Sequence, residues 1–114
     1  MKKRKAHRST RLFREADLSE TVGFQFEWDD RKALENDRKH GVSFDEAKTV
    51  FAGPLRIYFD DFHSATEDRY VAVGMSSVGR RLFVSHAYRN GKIRIIMARS
   101  ITKAEWNRHV EAIT

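Results

Sequence analysis

Between residues 29 and 52 the apolar positions are sparse and fall at helical spacing, whereas from residue 55 onward they gather in short runs that suit strands. Four such runs, 55–59, 69–75, 81–88 and 92–99, are rich in Val, Ile, Phe and Tyr and are bounded by Gly, Asp, Ser and Asn. Asn90-Gly91 between the last two predicts a type I′ hairpin, because that turn needs positive φ at both central residues. The runs therefore predict a meander of antiparallel strands. Upstream, Phe24-Gln25-Phe26-Glu27 alternates with period two and predicts one more short strand.

The helices are announced by their ends. Asp29 or Asp30 is placed to cap a helix running to about Lys39, with Gly41 in the left-handed position after it. Its only interior apolar residues are Ala33 and Leu34, which predicts a surface helix anchored by that narrow stripe and by Trp28. Ser43 and Glu46 form a capping box that opens a second helix with Phe44, Ala47, Val50 and Phe51 on one face, stopped by Gly53-Pro54. Thr102 and Glu105 form another, opening a C-terminal helix with Trp106, Val110 and Ile113 on one side. The order β-α-α-β-β-β-β-α predicts an α+β domain: a four- to five-stranded antiparallel sheet with two N-terminal helices and a C-terminal helix packed on one side.

Residues 1–22 show no hydrophobic period and read as a basic, flexible extension, leaving residues 23–114 as the domain. A chain of 114 residues is one domain in size, and no stretch approaches the roughly 18 apolar residues that a membrane span needs. The extension lacks the apolar core of a secretory signal, and the chain has no cysteine, so a cytoplasmic location is expected.

Charge changes this picture more than size does. The net charge of +6 is unevenly spread. Residues 1–14 hold seven Lys/Arg and no acid, residues 15–68 hold 6 Lys/Arg against 14 Asp/Glu, and residues 69–114 hold 9 against 2. A domain with an acidic half and a basic half can turn a positive face to a polyanion while the rest stays solvated.

Several patterns carry no chemistry. His40, His63, His86 and His109 recur every 23 residues, but their neighbours share nothing. Without Cys, or a His pair at ligand spacing, no metal or cofactor is expected. The Gly74–Gly79 segment lacks the Lys-Ser/Thr pair of a phosphate-binding loop and leads into a strand, so it is a hairpin loop. What remains suits phosphodiester chemistry: Lys39 and His40 at a helix end, and Arg69, His86, Arg94 and Arg99 on strands. Cleaving RNA through its own 2′-OH requires moving two protons and stabilising charge on the phosphoryl oxygens. His or a perturbed Lys can handle protons, and Arg can hold a phosphate bidentately. Arg94 and Arg99 are an odd number apart, so in a regular strand they face opposite ways unless a bulge intervenes.

Phe26-Glu27-Trp28-Asp29, Lys32, Asn36, Lys39-His40-Gly41-Val42-Ser43-Phe44, Glu46-Ala47 and Val50-Phe51, followed by Arg94-Ile95-Ile96 and Ala98-Arg99, resemble the BrnT toxins of bacterial type II toxin–antitoxin systems. The resemblance spans residues 24 to 106 and implies a RelE-like fold, ribonuclease activity, and a BrnA-like antitoxin whose ribbon-helix-helix part binds operator DNA. It implies Arg99 as the phosphate or transition-state stabiliser, His40 and Lys39 as proton-transfer or positioning groups, and Arg69, Arg94 and His86 as RNA contacts. Met97 departs from the family, many of whose members have Ser there. The basic extension is a second departure. A non-catalytic nucleic-acid-binding module using the basic C-terminal half is the alternative.

Overall fold

A computed structural model describes residues 24–113, with side chains as far as His109; the 1–22 extension lies outside the described residues. The elements are β1 (Phe26–Glu27), α1 (Asp30–His40), α2 (Phe44–Lys48) continued by a 3-10 turn (Thr49–Ala52), β2 (Leu55–Phe59), β3 (Tyr70–Met75), β4 (Arg81–Arg89), β5 (Lys92–Ser100) and α3 (Lys103–Ile113). A single 3-10 turn (Asp61–His63) interrupts the acidic connection between β2 and β3.

The local signals act as expected. Asp29 Oδ1 accepts the Lys32 N–H at 3.0 Å, and the Ser43 and Thr102 hydroxyls accept the Glu46 and Glu105 N–H groups, both at 3.0 Å. Gly41 takes φ 69° and returns its N–H to the Asp37 carbonyl, while Arg38, Lys39 and His40 place positive charge in the last turn of α1, where the helix dipole favours it. Asn90 and Gly91, at φ 52° and 78°, close the β4–β5 hairpin.

The sheet runs β1-β5-β4-β3-β2. Strands β2 to β5 are antiparallel, but β1 pairs with β5 in parallel, so the sheet is mixed. The direction follows from connectivity: β1 reaches β5 through two helices and three strands, not through a hairpin.

The helices do not share one side. Leu55, Ala72, Leu82, Val84, Ile93, Ile95 and Ala98 meet Phe44, Ala47, Val50 and Phe51 in one core. Val71, Val73 and Ile101 meet Trp106, with Tyr58 and Phe83, in another. Because Val71 and Val73 alternate with Ala72, the two cores lie on opposite faces, α1 and α2 on one and α3 on the other. Strand β3 is apolar on both sides, and both sides are covered. Gly74 records how closely the 3-10 turn approaches: a Cβ there would stand 2.8 Å from Val50 Cγ1.

Helix α1 also departs from the sequence expectation. Leu34 is 71% exposed, whereas Asn36 is 6% exposed. The Asn36 amide donates to the carbonyls of Val42 (2.9 Å) and Ala98 (2.8 Å), and its oxygen accepts the Ala98 N–H (3.1 Å). Since β1 covers β5 only at Ile93 and Arg94, the edge at Ala98 lacks a neighbouring strand, and Asn36 stands in for one.

Candidate nucleic-acid interface

Ser85 lies opposite Met97 and His86 opposite Ile95, which leaves Ile96 as an extra residue on β5. This bulge resolves the parity of the two arginines. Arg94 pairs with Ala87 and Arg99 with Phe83, four residues apart on the regular β4, so both arginines lie on the α3 face. By the same alternation Arg81 and Arg89 on β4 face that way, Arg56 of β2 lies opposite Val73, and Arg69 keeps step with Val71 just before β3. Six arginines therefore occupy one face of the sheet.

They are held differently. Arg99 binds Glu105 with two hydrogen bonds, Nη1 to Oε1 at 3.2 Å and Nη2 to Oε2 at 2.9 Å, and its guanidinium carbon sits 4.3 Å from the centre of the Phe83 ring. This pairing keeps the Glu105 carboxyl below its usual range. Arg89 forms a similar fork with Glu67, and Arg94 meets Glu27 at 3.3 Å. Arg56, Arg69 and Arg81 have no such partner among the described residues, and the Nε of each is buried without a hydrogen bond.

Lys39 and His40 lie at the adjoining edge. With Lys32, Glu35, Asn36, Ile96 and Met97 they line a shallow depression of about 180 Å³. Met97 lies opposite Ser85 on the α3 face between Arg94 and Arg99, so this depression adjoins the arginine row, although Arg99 does not line it. Met97 thus occupies the boundary between the two groups.

His86 is elsewhere. It is 0% exposed on the α1/α2 face, with Phe51 edge-on at 5.0 Å between ring centres. Nδ1 donates to the Val84 carbonyl at 3.1 Å, leaving Nε2 to accept from the Tyr88 hydroxyl at 3.1 Å. Burial pulls its pKa down to about 4, so it is neutral near pH 7. The expectation that His86 contacts RNA does not fit a side chain without exposed surface; its place is in the core. The reason is alternation: His86 follows Leu82 and Val84 on the core face of β4.

Sequence reasoning passed over Asn36 as a structural group, and Arg56 and Arg81 as site residues. The alternation of Leu55-Arg56-Ile57-Tyr58-Phe59 holds the signal for Arg56, since Leu55 and Ile57 join the other core. Among the described residues no three His, Cys, Asp or Glu side chains converge as metal ligands, and no helix is long and apolar enough to cross a membrane.

The family model for the ribonuclease toxin BrnT of type II toxin–antitoxin systems matches residues 28–105. Among solved structures, the crystal structure of the Brucella abortus ribonuclease toxin BrnT aligns with a TM-score of 0.55 at 19% identity, covering 70% of this chain and 99% of that one. At that identity the likeness concerns the fold. No curated protein matches the chain.

Proposed function

The chain belongs to the BrnT family of ribonuclease toxins of type II toxin–antitoxin systems, and from that premise we propose that it is a metal-independent endoribonuclease whose working surface is the arginine face beside the β5 edge. The observation that carries this reading is the bulge at Ile96, which puts Arg94 and Arg99 on one face, while Lys39 and His40 line the β5 edge at Ile96 and Met97.

In the proposed reaction the ribose 2′-oxygen attacks the adjacent phosphorus and the bond to the 5′-oxygen breaks, giving a 2′,3′-cyclic phosphate and a 5′-hydroxyl end. Arg99 binds the phosphoryl oxygens as their charge grows. A guanidinium has five N–H donors, and Glu105 engages two of those on Arg99, so Nε–H and one hydrogen on each Nη remain for phosphate. Glu105 is thus a positioning residue: it fixes the fork before substrate arrives, so less ordering is needed as charge develops. His40 and Lys39 are assigned the two proton transfers, one taking the 2′-OH proton and the other supplying the leaving 5′-oxygen. Arg94 and Arg69 contact flanking phosphates.

In the cell this activity inhibits translation and growth in the cytoplasm, and a BrnA-like antitoxin with a ribbon-helix-helix domain neutralises it. Operator DNA is reached only through that antitoxin. Inducible expression tests the reading. Wild type should stop growth, and Arg99→Ala should not, while remaining folded and bound by the antitoxin. Undiminished toxicity of Arg99→Ala counts against this site. Wild-type protein that binds RNA without cutting it favours a non-catalytic binding module.

A further inference from the structure

Arg56, Val73, Phe83 and Arg99 are successive partners across β2, β3, β4 and β5, one row perpendicular to the strands. Its apolar middle, Val73 and Phe83, belongs to the core shared with Trp106 of α3, and its two ends are arginines. At roughly 4.8 Å per strand the ends are about 14 Å apart. Arg81 stands two residues before Phe83 on β4, which makes it the diagonal neighbour of Arg99, at a separation of about 7–8 Å. Arg56, Arg81 and Arg99 therefore surround one end of the α3 face.

Arg80, Arg89, Arg94 and Arg99 each meet a carboxylate. Among the described residues Arg56 and Arg81 meet none, and the Nε of each is out of water without an acceptor. An unpaired buried donor is costly, and a charged one more so, which is hard to reconcile with a purely structural role. Only the Nε atoms are buried and unbonded, so the terminal nitrogens of both arginines still reach solvent. Each side chain is sunk into the fold along its stem with its charged end presented outward. The outward Nη groups of each arginine can donate two hydrogen bonds to one phosphate.

We propose that Arg56 and Arg81 form a backbone-binding subsite for single-stranded RNA, holding phosphates that flank the one at Arg99 and leading the strand from the β5 edge around the end of the α3-covered core towards β2. The subsite rests on the ribonuclease reading for its substrate class, but it is a binding claim and is tested without cleavage. The probe is a 2′-O-methyl RNA oligonucleotide, which lacks the attacking hydroxyl, titrated at several salt concentrations. Arg56→Gln and Arg81→Gln should each weaken binding about tenfold and flatten the salt dependence by about 0.7 in log–log slope, the amount expected for one lost phosphate contact on a single strand. Arg31→Gln, on the exposed side of α1, should bind as wild type does. Arg56→Lys and Arg81→Lys keep stem and charge but lose the guanidinium fork; they should bind about threefold more weakly with the slope unchanged. Wild-type affinity and slope in the Gln variants, or wild-type affinity in the Lys variants should the Gln variants not fold, overturn the subsite. If wild type binds the probe and these variants do not, yet natural RNA is never cut, the subsite stands and the ribonuclease reading falls.

Discussion

The two faces of this sheet handle polar groups in opposite ways. On the α1/α2 face the buried polar groups are satisfied: Asn36 makes three hydrogen bonds to backbone, His86 two, and the Glu46 carboxylate is held by Arg80 and Ser76. On the α3 face Arg56, Arg69 and Arg81 have no acceptor at Nε among the described residues. A folding unit needs its buried polar groups paired, whereas a binding surface can leave donors for its ligand. In the proposed reading RNA binding belongs to the α3 face alone, although the aromatic and aliphatic residues of both cores look alike in sequence.

Asn36→Leu should break the first half of this contrast most severely. It strips the partner from the Ala98 N–H and from the Ala98 and Val42 carbonyls, and about 3 kcal/mol of stability should disappear in denaturant unfolding. Asn36→Asp should recover only part, because a carboxylate accepts from Ala98 N–H but cannot donate to the two carbonyls.

His86 gives the next largest effect. Unfolded, it takes a proton near pH 6.5; folded, only at about pH 4. The unfolded state therefore binds more protons within that window, so stability is full above pH 6.5 and falls as pH drops towards 4, by roughly 3 kcal/mol. His86→Gln should flatten that part of the stability–pH curve, and an unchanged slope would place the titration elsewhere.

Glu46 acts at lower pH. Its hydrogen bonds with Arg80, and then Ser76, hold the carboxyl below 4.5, so its stabilisation is present above that pH and is lost as pH falls through the lowered value. Glu46→Gln should be less stable than wild type at pH 7 and should lose this acid limb in thermal melts. Leu34→Lys should have the smallest effect, within about 0.5 kcal/mol, because the side chain stands in solvent.

Much of the fold was legible because its signals are local. Ser43, Thr102, Gly41 and Asn90-Gly91 each act within a few residues of themselves. The parallel pairing of β1 was not legible, because it depends on where a two-residue strand docks 67 positions later. Neither was the interior of α1: Leu34 looks apolar and Asn36 looks polar, but the unfilled edge at Ala98 decides which one turns inward. For the site, strand alternation left Arg94 and Arg99 on opposite faces barring a bulge, and nothing in the sequence around Ile95-Ile96-Met97 marks the bulge. Alternation did contain enough to bury His86 with Leu82 and Val84, and to expose Arg56 on the face away from Leu55 and Ile57.

The central claim, that the arginine face cuts RNA through its own 2′-hydroxyl, is tested most directly by mapping RNA 5′ ends after incubation with purified protein in the presence of a chelator. The account expects new 5′-hydroxyl ends with wild type and a loss of at least about 10²-fold in their rate of appearance with a folded Arg99→Ala variant. No such ends from wild type, or the same ends at the same rate from Arg99→Ala, would contradict it.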